Sequence, residues 1–414
     1  MILKMQYKLT LKKILIRLLS LLFLTLVMLS IVYIYKTIEY KKVSSNNDRP
    51  TIPLQVTNTK PKFDNTKYNL CAPEENPVYT NPSYDHTRNE IQENIGYKNN
   101  KFGIYTYMEV DEYLDLASQL VNSNGGEWGY VLIPYNVKDY RDDRWQRFFG
   151  RLNELKLIPI IQLWDLNKDN ADSQINDSAS FLNTLPWPTK NRYISVFNEV
   201  NDEKFWHGEI NPEYYAKILD QIITTYKTTN QDFFILNGAF NASARNTNST
   251  MDAEEFLIRM ERKVPGIFAK LDGWASHPYP QPNFTGSPLA FGRDSIRAYD
   301  WELSILKNRF GVENLPIFIT ETGWPHKEAQ TDRDDYLPIV QATNNLIYAF
   351  ENVWLPDERI VAVTPFTMWY NPPFDNFSWI DKDNNPLFQF NEIAKLVKVA
   401  GNPPHLEAIW KCKE

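Results

Sequence analysis

Cysteine is scarce in this sequence of 414 residues: only Cys71 and Cys412 occur. They form no C-x-x-C spacing, which excludes a cysteine-based zinc site. If the chain is exported, a disulfide between them would tie the segment ahead of the main domain to the C-terminal tail; two separate thiols are the other possibility. Positive charge is not in excess either. The 44 Lys and Arg stand against 51 Asp and Glu, a formal net charge of −7, so nothing attracts nucleic-acid phosphates in general and no nucleic-acid partner is expected. No G-x-G-x-x-G or Walker A segment is present, which removes the obvious nucleotide-binding readings. No repeat with a period of about 20–50 residues is visible, and no low-complexity run follows the first hundred residues.

One long run does lack charge altogether. Residues 18–35, LLSLLFLTLVMLSIVYIY, are enough to span a bilayer as a helix. Lys4, Lys8, Lys12, Lys13 and Arg17 precede the run, while Lys36, Lys41 and Lys42 follow it. That bias predicts a cytoplasmic N-terminus and an outward-facing remainder. A cleaved signal peptide is the alternative, but its apolar core should be about 7–15 residues with an A-x-A-like site behind it, and neither is seen. The expected organisation is a basic N-terminus (1–13), a membrane anchor (14–35), a tether rich in Asn, Thr, Pro and Ser (36–97), a main domain (98–400) and a tail (401–414).

From residue 100 the chain alternates short apolar runs with longer amphipathic stretches, as parallel strands covered by helices do. The runs are 102–107, 128–135, 157–164, 193–199, 232–240, 272–279, 317–324 and 360–370. Helices are expected at 110–123, 144–155, 212–228, 253–264, 295–309 and 336–352. Eight such units in about 300 residues fit an α/β fold of the (β/α)8 barrel type better than an open doubly wound sheet.

In such barrels chemistry gathers at the C-terminal ends of the strands. Two carboxylates stand there among apolar residues: Glu199 closes RYISVFNEVN on the fourth run, and Glu321 closes LPIFITETGWP on the seventh. An unpaired buried charge is costly enough to need a reason. Glycoside hydrolysis supplies one, because it requires one carboxylic acid that is protonated and one carboxylate that is ionised. Asn198 would grip a sugar 2-hydroxyl, and the Tyr279 phenol would hold the nucleophile ionised.

At these residues the sequence resembles the clan of retaining (β/α)8 glycoside hydrolases that includes cellulases, mannanases, xylanases and β-glycosidases. The pair Asn198-Glu199 is similar to that clan's acid/base dipeptide on strand 4, and Glu321 in TETGWP to its strand 7 nucleophile. His277-Pro278-Tyr279 matches its H-x-Y element on strand 6, and Trp369 in FTMWY resembles its strand 8 sugar platform. Trp164 and Trp324 are further candidate sugar contacts. The resemblance implies hydrolysis of an O-glycosidic bond with retention, a carbohydrate substrate, and no metal or organic cofactor. One departure stands out: several families of the clan place an arginine on strand 2, where this sequence has Leu132. That departure keeps open a second reading, a tethered carbohydrate-binding barrel without catalysis, and an envelope protein that only docks partners is a third. Sugar, linkage, endo or exo action and oligomeric state are not legible.

Overall fold

The computed structural model describes residues 98–107 and 110–406, together with the backbone of Tyr79–Thr80. The predicted anchor, the tether apart from Tyr79–Thr80, and both cysteines lie outside the described residues. Among the described residues no helix is long and apolar enough to cross a membrane.

Eight strands alternate with eight α-helices. They are β1 (Gly103–Tyr105), α1 (Asp111–Val121), β2 (Gly129–Asn136), α2 (Asp142–Glu154), β3 (Leu157–Trp164), α3 (Ala171–Thr184), β4 (Arg192–Ser195), α4 (Pro212–Thr229), β5 (Phe233–Leu236), α5 (Ala253–Lys263), β6 (Trp274–Ser276), α6 (Ala298–Phe310), β7 (Ile317–Ile319), α7 (Ile339–Ala349), β8 (Ile360–Val363) and α8 (Phe388–Ala394). Strands β1 to β5 form one parallel ladder and β6 to β8 another. Isolated parallel bridges join the ladders, Leu236 to Gly273 and, just past the strands, Asn241 to His277 on the side of β5 and β6, and Val363 to Phe102 between β8 and β1. The sheet therefore closes on itself as the expected (β/α)8 barrel.

Period-two alternation decides what each strand residue packs against. Tyr130 and Leu132 of β2, Tyr193 of β4 and Phe318 of β7 fill the inside, while Val131, Ile133 and Tyr135 face the helices. The Tyr193 ring lies 5.1 Å from both Phe234 and Phe318, so the interior is a packed aromatic core and not a pore. A bulge between β7 and β8 places Val361 and Ala362, consecutive residues, in that inner cluster.

Local signals fix several helix ends. The Asn211 side chain accepts from Tyr214 N at 2.9 Å ahead of Pro212, the first residue of α4. Asp252 caps α5, whose first turn carries Glu254 and Glu255 and whose last carries Arg262 and Lys263, matching the helix dipole. Helix α6 stops at Gly311, whose φ of 67° suits glycine.

The structure corrects or completes the expected elements in three places. Strands β4 to β8 are shorter than the apolar runs that predicted them, because the runs continue into loops at the C-terminal face. Helices α3 and α8 complete the eight units at positions for which no range was given. Helix α7 begins three residues late and continues as a π-helical turn, Phe350–Trp354. Beyond α8 the chain stays on the barrel: Gly401 N donates to Glu127 O at 3.0 Å, and His405–Leu406 pair with Tyr79–Thr80.

Candidate active site

The end of β4 is where the backbone departs furthest from a regular strand. Phe197 and Glu199 have φ of 73° and 35°, a region that side chains other than glycine adopt at a cost. Neighbouring groups hold it. Val196 N donates to Leu236 O at 3.2 Å and Glu199 N to Ala239 O at 2.8 Å. The buried Tyr215 hydroxyl donates to Val196 O and accepts from Gly238 N at 2.7 Å. Gly238 itself permits this approach, since a Cβ there would meet Val196 O at 2.4 Å.

This contortion brings Glu199 to the same nitrogen that Glu321 approaches. His277 Nδ1 lies 3.3 Å from Glu199 Oε1 and 3.8 Å from Glu321 Oε2. The Tyr279 hydroxyl donates to Glu321 Oε2 at 3.1 Å. His277 is buried, and its Nε2 has no hydrogen-bond partner among the described residues. The nearest carboxylate oxygens can thus be no farther apart than the sum of the two His277 distances.

Burial dominates the electrostatics. It lifts the Glu321 carboxyl to about 7, with the Glu199 charge adding to the lift and His277 and Tyr279 opposing it. Burial pulls His277 down, but the facing carboxylates, Glu321 first, outweigh it and leave the imidazole above its ordinary value. Burial and the same two charges push the Tyr279 phenol well above its usual range, so it remains a donor. The lift thus falls on Glu321, the residue assigned the ionised role. Buried Leu132 belongs to the inner cluster of the barrel, so this position supplies no cation to Glu321.

Asn198 sits half-buried beside Glu199, and its Oδ1 accepts from Gln162 Nε2 of β3 at 3.1 Å, which leaves its amide N–H groups as what it offers a ligand. Trp164 is half-buried at the end of β3. Trp369 is half-buried in the loop after β8 and packs against the layer between barrel and helices. Trp324 is 2% exposed, and its indole N–H donates to Gly286 O at 2.8 Å, so it ties two loops and offers no face to a sugar.

The rings beside Tyr279 are ones the sequence reading passed over. Phe284 and Phe377 lie 5.1 and 6.0 Å from Tyr279, and Phe366 lies 5.6 Å from Phe377 and 5.1 Å from Tyr105. Phe366 was assigned to the eighth strand, but that strand ends at Val363, and knowing its true end would have marked Phe366. Gln162 carried no signal beyond its place near the end of β3.

No protein-family model matches the sequence, and no curated protein is similar to it. Solved structures that are similar include an endo-beta-1,3-glucanase of GH128 subgroup II from Pseudomonas viridiflava, with a TM-score of 0.48 and 15% identity over 72% of this chain and 97% of that one. A beta-glucanase from Saccharophagus degradans has a TM-score of 0.43 and 14% identity, covering 72% and 86%. A family 51 alpha-L-arabinofuranosidase from Bifidobacterium longum has 0.46 and 12%, covering 74% and 75%. Likenesses this distant leave family and activity open.

Proposed function

We propose that this protein is a retaining glycoside hydrolase acting on a poly- or oligosaccharide, with Glu199 as acid/base and Glu321 as nucleophile, and that residues 14–35 anchor it with the barrel outside the cytoplasm. The observation that carries the reading is the convergence of two glutamates on His277 at the C-terminal face of a barrel. The limit on their separation ends just above the lower edge of the spacing of about 6.5–9.5 Å used by inverting enzymes and takes in the 5–5.5 Å or so used by retaining ones. The hydroxyl of Tyr279 on Glu321 supports the nucleophile role, because a hydrogen bond to the charged form favours it. In the first half-reaction Glu321 attacks the anomeric carbon while Glu199 gives its proton to the departing oxygen. In the second, Glu199 takes a proton from water, which displaces Glu321.

Azide separates the roles. In Glu321→Ala it enters from the vacated face, and in Glu199→Ala it captures the glycosyl-enzyme from the other, so a β-glycosidase yields α-azide and β-azide respectively. Reversed anomers swap the roles. Wild-type turnover in both variants places the catalytic site elsewhere, whereas binding of sugars without turnover by the unaltered protein leaves the carbohydrate-binding barrel, which the apolar Leu132 favours.

A further inference from the structure

The loops at the mouth of the barrel differ sharply around its rim. Those after β1, β2 and β3 are short, spanning 106–110, 137–141 and 165–170, whereas those after β4 to β8 span 196–211, 237–252, 277–297, 320–338 and 364–387. The long loops are fastened to one another in sequence. Asn201 Nδ2 donates to Asn241 O and Met251 O at 3.1 and 2.9 Å, joining the loops after β4 and β5. Arg293 donates to Ala242 O and Ala244 O at 2.7 and 2.8 Å, joining those after β5 and β6. Trp324 to Gly286 joins the next pair, and Asn376 Nδ2 to His326 O at 2.8 Å the last.

One contact breaks the nearest-neighbour pattern. Lys204, in the loop after β4, holds Nζ 5.1 Å from the ring centre of Phe374, in the loop after β8, and 5.1 Å from that of its own neighbour Phe205. Strands β4 and β8 stand on opposite walls of an eight-stranded barrel, so loops rising from them can meet only by crossing the mouth. A cation between two ring faces is a favourable way to hold such a crossing. Phe374 in turn lies 6.4 Å from Phe366, in the ring cluster around Tyr279. The strap completes a circle of loops around strands 4 to 8, and Glu199, His277, Tyr279 and Glu321 all rise from strands within that circle.

We propose that the strap of Lys204, Phe205 and Phe374 makes the enzyme end-acting: a sugar chain enters over the short loops after β1 to β3, passes beneath the strap and stops against the long-loop wall, so that only a chain terminus reaches the two glutamates. This rests on the hydrolase reading above. An interior stretch of polysaccharide would have to continue through the fastened wall on the far side.

The test follows solution viscosity against new reducing ends on a panel of soluble polysaccharides of defined linkage. The unaltered enzyme is expected to release reducing ends while viscosity falls slowly. Phe374→Ala and Lys204→Ala should raise the viscosity drop per new end by about tenfold, a discrimination that one pocket contact can carry. A second pair of changes locks the contact with a linker long enough to span it: Lys204→Cys with Phe374→Cys, in a chain with Cys71→Ser and Cys412→Ser, joined by a bis-maleimide and verified by mass. The linked form should keep terminal release and the unlinked form should gain internal scission. Rapid viscosity loss with the unaltered enzyme, or no difference between the linked and unlinked forms, overturns the strap while leaving the hydrolase intact. No turnover by the unaltered enzyme on any member of the panel instead defeats the hydrolase reading and the end-acting claim with it.

Discussion

At the residue scale the site combines two carboxylates, one imidazole and one phenol, and burial outweighs the imidazole and phenol that favour the charge on Glu321. If Glu321 is the nucleophile, a carboxyl lifted to about 7 by burial is only half ionised at neutrality, so the acid limb of kcat/KM should sit near pH 7 rather than in the ordinary carboxylate range. The Tyr279 hydroxyl favours the charged form of Glu321, so removing it raises the carboxyl further. Tyr279→Phe is therefore expected to move the acid limb to higher pH as well as to lower turnover, and a pH–rate series with a substrate whose chemistry is rate-limiting measures both. An unmoved limb would detach Tyr279 from the ionisation of Glu321. The two glutamates were legible because a carboxylate at the end of an apolar run is conspicuous. The ring wall was not, since Phe284, Phe366 and Phe377 look like core residues until the fold places them beside Tyr279.

At the element scale, α6 is fastened to β6 by a buried carboxylate. Glu302 is 1% exposed, and its Oε2 accepts from the Trp274 indole N–H at 3.0 Å. Burial lifts its carboxyl from 4.5 to about 7, against the hydrogen bond from Trp274 that favours the charge. A carboxyl raised in the folded state stabilises fully below its unfolded value, and that contribution disappears as pH climbs through the folded value. Glu302→Gln keeps an acceptor for Trp274 and removes the charge, so at pH 8 it should gain about 1–3 kcal/mol, with little change at pH 5. Thermal unfolding at the two values checks this, and an equal effect at both would mean that Glu302 does not titrate in that window. Nothing in the sequence marked Glu302, because a glutamate within an amphipathic helix reads as a solvated face. Strand positions were legible from apolar runs of six to eleven residues, but strand ends were not. The same apolar residues that build a strand also line the mouth, and a left-handed turn such as that at Phe197 leaves no compositional trace.

At the scale of the whole molecule, the uncharged run at 18–35 predicts that protease added outside intact cells releases a barrel-sized fragment; a protected barrel, or a secreted chain cut after residue 30, would refute that topology. Within the barrel, the two ladders meet between β5 and β6 at isolated bridges, Leu236 to Gly273 and Asn241 to His277, and between these the Asn237 side chain bonds to backbone groups of β6. Its Oδ1 accepts from Ala275 N at 2.8 Å, and its Nδ2 donates to Ala275 O at 3.0 Å. Asn237→Ala leaves both groups of Ala275 unpaired at a cost of about 1–3 kcal/mol, and amide exchange across Trp274–Ser276 should quicken while turnover falls. Unchanged exchange would mean that the ladder holds without it. Glu199 rides on the five-stranded sector, whereas His277, Tyr279 and Glu321 ride on the three-stranded one. The barrel is therefore a pair of unequal jaws, and the gap between Glu199 and Glu321 is a caliper reading taken across a joint that one amide side chain helps to fasten.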